Sequence, residues 1–162
     1  MQIGIVGTGR MGGNMARRLL GEGHDVAVQG RREAAVAPLR AEGAEGFTDM
    51  DALVAALPAP RLVWVMVPAG EATEAVIGQL AERLEPGDCV IDGGNSHYRE
   101  AIRRAGELAE RGIDFLDVGT SGGVWGAERG YCLMVGGPEA AFRRAEPIFQ
   151  SLAPGVEAAG RT

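Results

Sequence analysis

The sequence predicts an α/β fold, in which a doubly wound, mainly parallel sheet carries helices on both faces. Apolar runs alternate with amphipathic segments along the chain, and this alternation is typical of parallel sheets. The runs LVWVMV and CVID are apolar without alternation, as expected for strands that are covered on both faces. Gly23, Gly87 and Gly112 each fall between an amphipathic segment and the next apolar run, where glycine commonly ends a helix.

The alternation gives the order of the elements. The predicted strands are Gln2–Val6, Asp25–Gln29, Arg61–Val67, Cys89–Asp92, Ile113–Val118 and Tyr131–Val135. The predicted helices are Arg10–Glu22, Glu33–Glu42, Met50–Ala56, Glu71–Leu84, Tyr98–Arg111 and Pro138–Phe149. Because proline kinks a helix interior, we expect the last helix to break near Glu146, before Pro147. Thr48, with Asp51 three residues later, resembles a weak capping box for the third helix.

Length and charge narrow the class of protein. The 162 residues, 46% of them hydrophobic, are enough for one domain with its own core. The net charge of −6 argues against a nucleic-acid-binding surface. No apolar run approaches the ~20 residues of a membrane span. Since the first strand begins at residue 2, no signal peptide is expected and the expected location is cytoplasmic.

Cysteine and lysine usage adds two constraints. Cys89 and Cys132 lie in apolar strand-like runs, so both are expected to be buried free thiols. Neither has the Cys or His spacing of a metal site, and no metal is expected. All 16 basic residues are arginine, so any chemistry that requires a lysine side chain is absent from this sequence.

The first loop of the chain has the spacing of a dinucleotide-binding turn. Gly7-Thr8-Gly9-Arg10-Met11-Gly12 reads G-x-G-x-x-G between a predicted strand and a predicted helix. Gly7 would allow the tight turn, Gly9 the approach of a pyrophosphate, and Gly12 the close packing of helix on strand. Amides at the start of the helix would face the phosphates. This interpretation makes the fold Rossmann-like; the alternative is a glycine-rich turn without a ligand.

The end of the second strand favours NADP over NAD. NAD-binding folds place an acidic residue there, about 20 residues after the glycines. This sequence has Gly30, followed by Arg31 and Arg32, and two guanidinium groups offer paired donors for a 2′-phosphate. The alternative is that both arginines are solvated and NAD binds without its usual acid. Val67-Pro68-Ala69-Gly70 ends the next strand at the same edge, as part of the cleft or as an ordinary turn.

Two later loops are rich in glycine and small polar residues. They span residues 91–98 and 117–126, and their amides are suited to anions. Asn95 and Ser121 offer neutral donors and acceptors for the hydroxyl groups of a sugar acid. The alternative is that these glycines only form tight turns. His97 is equally a neighbour of the substrate or a helix-start residue, and His24 is expected in a surface turn. A solvated helix face is expected for three arginines, Arg99, Arg103 and Arg104.

Four segments, GTGRMGGNMARRL, VMVPAG, VIDGGNSHYRE and DVGTSGGVWGAERGYCLMVGG, together resemble 6-phosphogluconate dehydrogenase, decarboxylating, in its shorter bacterial form. The resemblance runs from residue 2 to about residue 153. It implies an NAD(P)-binding domain over residues 1–153, with residues 154–162 beginning a linker to a helical domain. It also implies the pentose phosphate reaction, in which 6-phosphogluconate is oxidised by hydride transfer to nicotinamide and loses CO2 to give ribulose 5-phosphate.

The resemblance also implies roles for individual residues. Asn95 would touch cofactor and substrate, and Arg31 would hold the 2′-phosphate of NADP, with NAD as the second choice of cofactor. The remaining cofactor residues would be Gly7, Gly9, Arg10, Met11, Gly12, Arg32, Val67, Pro68 and Ala69. The remaining residues that bind 6-phosphogluconate would be Ser121, Gly122 and Gly123.

The resemblance places the family's general base, a lysine, and its general acid, a glutamate, in the helical domain. That domain also supplies the subunit contacts of a homo-oligomer. Because this sequence has no lysine, no catalytic residue is expected in the chain, which would bind NADP without turnover. Two other interpretations stay open. The chain could belong to a related β-hydroxyacid dehydrogenase for a smaller acid, or it could be a non-catalytic NADP-binding module.

Overall fold

The computed structural model describes residues 1–155, apart from the side chain of Val124. Its strands are β1 (Gln2–Val6), β2 (Asp25–Gln29), β3 (Glu45–Phe47), β4 (Leu62–Val65), β5 (Cys89–Asp92), β6 (Asp114–Ser121) and β7 (Cys132–Gly136). Its α-helices are α1 (Arg10–Gly21), α2 (Glu33–Ala41), α3 (Met50–Ala56), α4 (Glu71–Ala81), α5 (Tyr98–Ala109), α6 (Gly126–Arg129) and α7 (Glu139–Leu152). A 3₁₀ turn, Gly123–Trp125, precedes α6.

The seven strands form one sheet in the order β3-β2-β1-β4-β5-β6-β7. All neighbouring strands are parallel except β6 and β7, which are antiparallel. One core packs α1, α2 and α7 against one face of the sheet, and a second core packs α3, α4 and α5 against the other. The structure therefore confirms the predicted α/β, Rossmann-like class with helices on both faces.

Strand β1 is the branch point of the sheet. It pairs with β2 on one side and with β4 on the other, so the chain winds outward in opposite directions from this strand. In open α/β sheets a crevice forms at such a point, beyond the carboxyl ends of the strands. The loops after β1, β2 and β4 therefore meet at one place.

The structure differs from the predicted secondary structure in several places, and it contains the short helix α6 (Gly126–Arg129), which was not predicted. The three-residue strand β3 was not predicted, because so short an edge strand has no clear hydrophobic period. Helix α7 continues through Pro147; burial of Ile148, Phe149 and Leu152 beside it offsets a proline cost of about 3 kcal/mol. Helix α3 is capped by Asp49, whose carboxylate accepts the Ala52 N–H at 2.8 Å, and not by the predicted Thr48 box.

The two cysteines differ in environment, contrary to prediction. Cys89 is buried in β5, and burial raises the pKa of its thiol to about 11. Cys132 is exposed because β7 is an edge strand whose alternate residues face outward. Among the helices of the described chain, residues 1–155, none combines the length and the apolar character that crossing a membrane would require.

Candidate functional site

A cleft of about 520 Å³ lies beyond the carboxyl ends of β1, β2 and β4. It is therefore placed at the branch point of the sheet. Its lining residues are Val6, Gly7, Thr8, Gly9, Gln29, Gly30, Arg31, Arg32, Ala35, Met66, Val67, Pro68, Ala72, Ala75, Val76 and Gln79. Of the predicted cofactor residues, Gly7, Gly9, Arg31, Arg32, Val67 and Pro68 are in this set.

The glycine turn is compact on its inner side and open on its outer side. Gly7 has φ +105°, and a Cβ there would lie 2.9 Å from Val67 Cγ1, so both its conformation and its surroundings require glycine. A Cβ on Gly12 would overlap the Gly7 carbonyl oxygen, which holds α1 close against β1. A Cβ on Gly9, in contrast, would meet no atom of the described part of the chain within 4 Å.

The open side of this turn fits a dinucleotide phosphate. Nothing in residues 1–155 requires the small size of Gly9, but a phosphate that approaches the backbone would require it. Helix α1 begins after Gly9 without a side-chain cap. The N–H groups of its first turn are therefore available to donate to another acceptor. Arg10 is exposed, whereas Met11 is half-buried and packs against the core; neither is among the cleft-lining residues of the described chain.

The end of β2 presents charge without a carboxylate. Gly30 is buried and donates its N–H to the Phe47 carbonyl oxygen at 3.1 Å, which ties the strand end to β3. Arg31 and Arg32 follow, and both are exposed and line the cleft. A phosphate bound beside Gly30 would therefore meet two guanidinium groups and no acidic side chain of β2.

The opposite wall of the cleft comes from the β4–α4 turn and from α4. The Thr73 hydroxyl, which is buried, donates to the Pro68 carbonyl oxygen at 2.9 Å and fixes the turn. Val67 and Pro68 line the cleft, and exposed Ala69 is not among its lining residues within residues 1–155. One side of α4 forms the rest of the wall with small and apolar residues and one amide: Ala72, Ala75, Val76 and Gln79.

The loop after β5 is held to the end of β6 by Asn95. Asn95 has φ +56°, a left-handed conformation that asparagine tolerates better than most residues. Its Oδ1 accepts the Thr120 N–H at 2.9 Å, and its Nδ2 donates to the Thr120 carbonyl oxygen at 3.2 Å. Asn95 and Ser121, predicted to bind one substrate from two loops, are thus brought together.

A buried ion pair supports this loop from below. Asp92 is 0% exposed, and its carboxylate accepts the Gly94 N–H at 2.9 Å and the Ser96 hydroxyl at 2.7 Å. Arg104 is 2% exposed, and its guanidinium donates to Asp92 at 3.2 Å and to Ser96 at 3.0 Å. The prediction of a solvated face at Arg104 is wrong, because α5 turns this residue inward beneath the loop.

The ion pair extends to α4. Arg104 also donates to Glu74 at 2.9 Å, while exposed Arg103 donates to the same carboxylate at 2.6 Å. These hydrogen bonds, led by that of Arg103, lower the pKa of Glu74. Helix α4 forms a wall of the cleft, so the network joins the cleft to the Asn95 loop.

The second substrate loop continues from the sheet. Ser121 is the last residue of β6, opposite Cys132 of β7, and it is exposed. Gly122 and Gly123 follow with φ +148° and +50°, and a Cβ on Gly122 would lie 3.0 Å from Tyr131 Cδ1. Glycine is required here by the fold itself, so its presence does not by itself indicate a ligand.

The two predicted subsites are adjacent. A Cβ on Gly94 would lie 2.9 Å from the Val67 carbonyl oxygen, so the Asn95 loop packs directly on the β4–α4 turn that lines the cleft.

His97 caps α5, since its Nδ1 accepts the Arg99 N–H at 3.3 Å. His24 lies at the other edge of the sheet, 2.7 Å from the Ser151 hydroxyl.

Sequence reasoning did not single out several site residues. Thr8, Thr73 and Thr120 carry ordinary roles in a motif or a strand, and nothing in their spacing marks them. Asp92 and Arg104 are twelve residues apart, and only the packing of α5 on β5 brings them together. Within residues 1–155 no group of three or more His, Cys, Asp or Glu side chains could hold a metal ion.

Comparison with known proteins agrees with this geometry. A sequence model described as the NAD binding domain of 6-phosphogluconate dehydrogenase matches residues 2–160. A Haloferax volcanii protein named 6-phosphogluconate dehydrogenase, NAD(+)-dependent, decarboxylating, is 42% identical over 160 residues; the alignment covers 99% of this chain and 52% of the relative. The chain spans about half the length of two of the curated relatives it matches and about a third of the length of others.

Solved structures of dehydrogenases also superpose on this chain. Plasmodium falciparum 6-phosphogluconate dehydrogenase, determined in apo form, with its cofactor NADP+ and with its substrate 6-phosphogluconate, superposes with a TM-score of 0.89 at 28% identity, over 98% of this chain and 35% of that one. Mycobacterium tuberculosis 3-hydroxyisobutyrate dehydrogenase, solved with L-serine, superposes with a TM-score of 0.86 at 30% identity, over 94% and 52%.

Proposed function

Because this chain belongs to the family of NAD-binding domains of 6-phosphogluconate dehydrogenase, we propose that it is the cofactor-binding part of an enzyme that converts 6-phosphogluconate to ribulose 5-phosphate. The observation that carries the proposal is the open glycine turn at the branch point of the sheet, where a Cβ added to Gly9 would meet no atom of the described residues within 4 Å. The Asn95 loop lies directly beside the same cleft. A bound dinucleotide would accept a hydride there.

The cofactor proposed for this cleft is NADP. Support comes from Gly30, Arg31 and Arg32, which place two exposed guanidinium groups and no carboxylate at the end of β2. A hydrogen bond to a charged group is worth about 1.5–3 kcal/mol, or about tenfold or more in Kd. NAD is the second choice of cofactor, because the Haloferax relative is named as NAD(+)-dependent.

Isothermal titration of the chain with NADP+ and NAD+ tests this preference. We expect the chain to bind NADP+ more tightly than NAD+. We also expect Arg31→Met to raise the Kd of NADP+ by about tenfold or more and to change the Kd of NAD+ little. Arg129→Met is a matched control, because Arg129 is exposed in α6 and is not among the residues that line the cleft in the described structure. Equal or tighter binding of NAD+ by the unaltered chain would contradict the proposal.

The chain's own residues would act mainly by positioning. Backbone amides after Gly9 would hold the pyrophosphate, and Arg10, Met11 and Gly12 would complete that turn. Val67, Pro68 and Ala69 would lie at the nicotinamide end, next to Asn95. For the sugar acid, Asn95, Ser121, Gly122 and Gly123 would supply hydrogen-bonding groups from two loops that meet at Thr120.

The catalytic acid and base are proposed to lie elsewhere in the full enzyme. The family resemblance assigns the base to a lysine, and this sequence has none. We place the NAD(P)-binding domain at residues 1–153 and the start of a linker to a helical domain at residues 154–162; residues 156–162 lie outside the described residues. In the complete enzyme, that helical domain would also provide the contacts of a homo-oligomer.

An activity assay separates binding from turnover. We expect the 162-residue chain to bind NADP+ but to produce no NADPH from 6-phosphogluconate, since general acid–base catalysis is worth about 10²–10⁴ in rate and its groups are missing. Absorbance at the NADPH wavelength follows the reaction. Steady oxidation of 6-phosphogluconate by the purified chain would refute the assignment of the base.

A related β-hydroxyacid dehydrogenase is the second candidate. It is favoured by the structural similarity to 3-hydroxyisobutyrate dehydrogenase. Competition in the NADP+-loaded chain discriminates the two: 6-phosphogluconate should perturb the NMR signals of Asn95 and Ser121 at lower concentration than 3-hydroxyisobutyrate does. The reverse order would favour the smaller acid.

A further inference from the structure

Gly30 is a glycine because of its neighbour and not because of its backbone. Its φ lies outside the left-handed range, so a side chain would meet no conformational penalty. A Cβ at this position would, however, overlap the Thr8 hydroxyl oxygen. It would also lie 3.1 Å from Val36 Cγ2 and 3.2 Å from Thr8 Cβ. Thr8 therefore occupies the space that a side chain at residue 30 needs.

Thr8 cannot give up that space easily. Its hydroxyl and methyl groups share one Cβ, so a change of χ1 moves both groups, and β-branched side chains are stiff at χ1. The turn around Thr8 is also fixed, because the Gly7 N–H donates to the Gln29 carbonyl oxygen at 2.9 Å and Gly12 packs under Gly7. The contrast is Gly4, where the closest atom to a Cβ would be the end of the flexible Leu57 side chain.

The pair lies where the cofactor's adenosine ribose would be recognised. Thr8 and Gly30 both line the cleft, and Arg31 and Arg32 follow Gly30 along the same edge. In folds that take NAD, the acidic residue that binds the ribose hydroxyls stands at the end of this strand. In this chain that place is filled from the neighbouring turn.

We propose that Thr8 restricts the choice of cofactor: by occupying the side-chain space of residue 30, it keeps a ribose-binding carboxylate out of that position and leaves Arg31 and Arg32 to face a 2′-phosphate. This inference rests on the proposed dinucleotide function and extends it to a residue of the glycine turn. Thr8 acts sterically on position 30 and is a specificity-determining residue, not a catalytic one.

A four-protein cycle tests the pair: the unaltered chain, Thr8→Ala, Gly30→Asp and the double variant, each titrated with NADP+ and NAD+ and melted thermally. Gly30→Asp alone is expected to lower the Tm and to raise the Kd of both cofactors at least tenfold. Adding Thr8→Ala is expected to restore the Tm and to make NAD+ the tighter ligand, while Thr8→Ala alone keeps the preference for NADP+.

A second background separates size from hydrogen bonding. Thr8→Val keeps the branched shape without the hydroxyl, so Thr8→Val/Gly30→Asp should behave like Gly30→Asp and not like Thr8→Ala/Gly30→Asp. If Gly30→Asp changes the Tm and the affinity for NAD+ by the same amounts in the unaltered chain and in the Thr8→Ala variant, the two positions are independent and the inference is overturned.

The proposed function can fail separately. If the steric pair exists, Gly30→Ala lowers the Tm of the unaltered chain but not that of the Thr8→Ala variant, and this measurement needs no cofactor. Binding of NAD+ as tight as that of NADP+ by the unaltered chain would contradict the proposed preference alone, because the cycle still measures coupling between residues 8 and 30. Equal Tm losses for Gly30→Ala in both backgrounds would overturn the pair whatever cofactor binds.

Discussion

The turns that open α1 and α5 lie at the same edge of the sheet, yet they use their polar groups differently. The turn after Gly7 has no side-chain cap, and its amides stay available. The polar groups of the loop after Asp92 are used within the loop itself: Gly94 and Ser96 donate hydrogen bonds to Asp92, and His97 caps the helix. The first turn leaves its amides available to an anion, and the second holds fixed the side chains that it presents. The candidate site thus combines an open half, the turn after Gly7, and a braced half, the loop after Asp92.

The largest expected effect breaks the braced half. Arg104→Met leaves the Asp92 carboxylate buried without its ion-pair partner, and such a loss costs about 3–5 kcal/mol of unfolding free energy. Urea unfolding measures it. Arg103→Met is the matched control on the same helix, because the ion pairs of Arg103 are exposed and solvent-exposed ion pairs contribute little to stability. Equal losses in the two variants would mean that Arg104 braces nothing.

The next experiment separates the inner and outer sides of the open half. Gly12→Ala would push a methyl group into the Gly7 carbonyl oxygen and cost about 1–3 kcal/mol, as overpacking does. Gly9→Ala meets no atom of the described residues and should cost less, about 0.5–1 kcal/mol, because alanine is a poorer N-cap residue than glycine. Both substitutions should lower the affinity for NADP+, which a fluorescence titration measures. Unchanged affinity in Gly9→Ala would remove the phosphate from this turn.

A smaller effect is expected at Asn95. Asn95→Ala loses two bonds to Thr120 and keeps an unfavourable left-handed φ, for a total of about 2 kcal/mol. Asn95→Gly loses the same bonds without the conformational cost, so it should be about 1 kcal/mol more stable than Asn95→Ala. Chemical denaturation of both variants measures the difference. If alanine is the more stable replacement, backbone conformation does not limit this loop.

The smallest effect lies far from both halves and serves as a reference for pH experiments on the site. Burial, followed by the charge of Met1, lowers the pKa of His24 below its usual 6.5. The unfolded chain then binds the proton first, so stability is full above about pH 6.5 and falls as the pH drops through the range between the two pKa values. Comparison of the pH dependence of Tm in the unaltered chain and in His24→Gln isolates this term. An identical pH dependence in the two proteins would contradict it.

Local patterns predicted most of the fold. Apolar runs placed β1, β2 and β5 at the observed bounds, because central parallel strands are covered on both faces and leave a clear signal. Edges were harder to predict. Strand β3 has three residues, and β7 runs antiparallel, which no run of residues encodes. Pro147 misled the prediction because tertiary burial of α7 outweighs its local cost.

The site divides in the same way. The glycine spacing and the arginines after β2 are contiguous in sequence, so they could be predicted, and the structure lines one cleft with them. The Asp92–Arg104 pair and the Thr8–Gly30 contact arise from packing between elements, so the positions of these residues along the sequence do not reveal them. Arg104 in particular carries the same sequence signal as its exposed neighbour Arg103.

Amide hydrogen exchange, measured by NMR with and without NADP+, tests the contrast between the two halves most directly. In the free protein, the amides from Thr8 to Met11 should exchange fast, while the Gly94 amide, which is bonded to Asp92, should already be protected. Addition of NADP+ should slow the first group strongly and change Gly94 little. If NADP+ leaves the amides from Thr8 to Met11 unprotected, the glycine turn is not its phosphate site, and the account is contradicted.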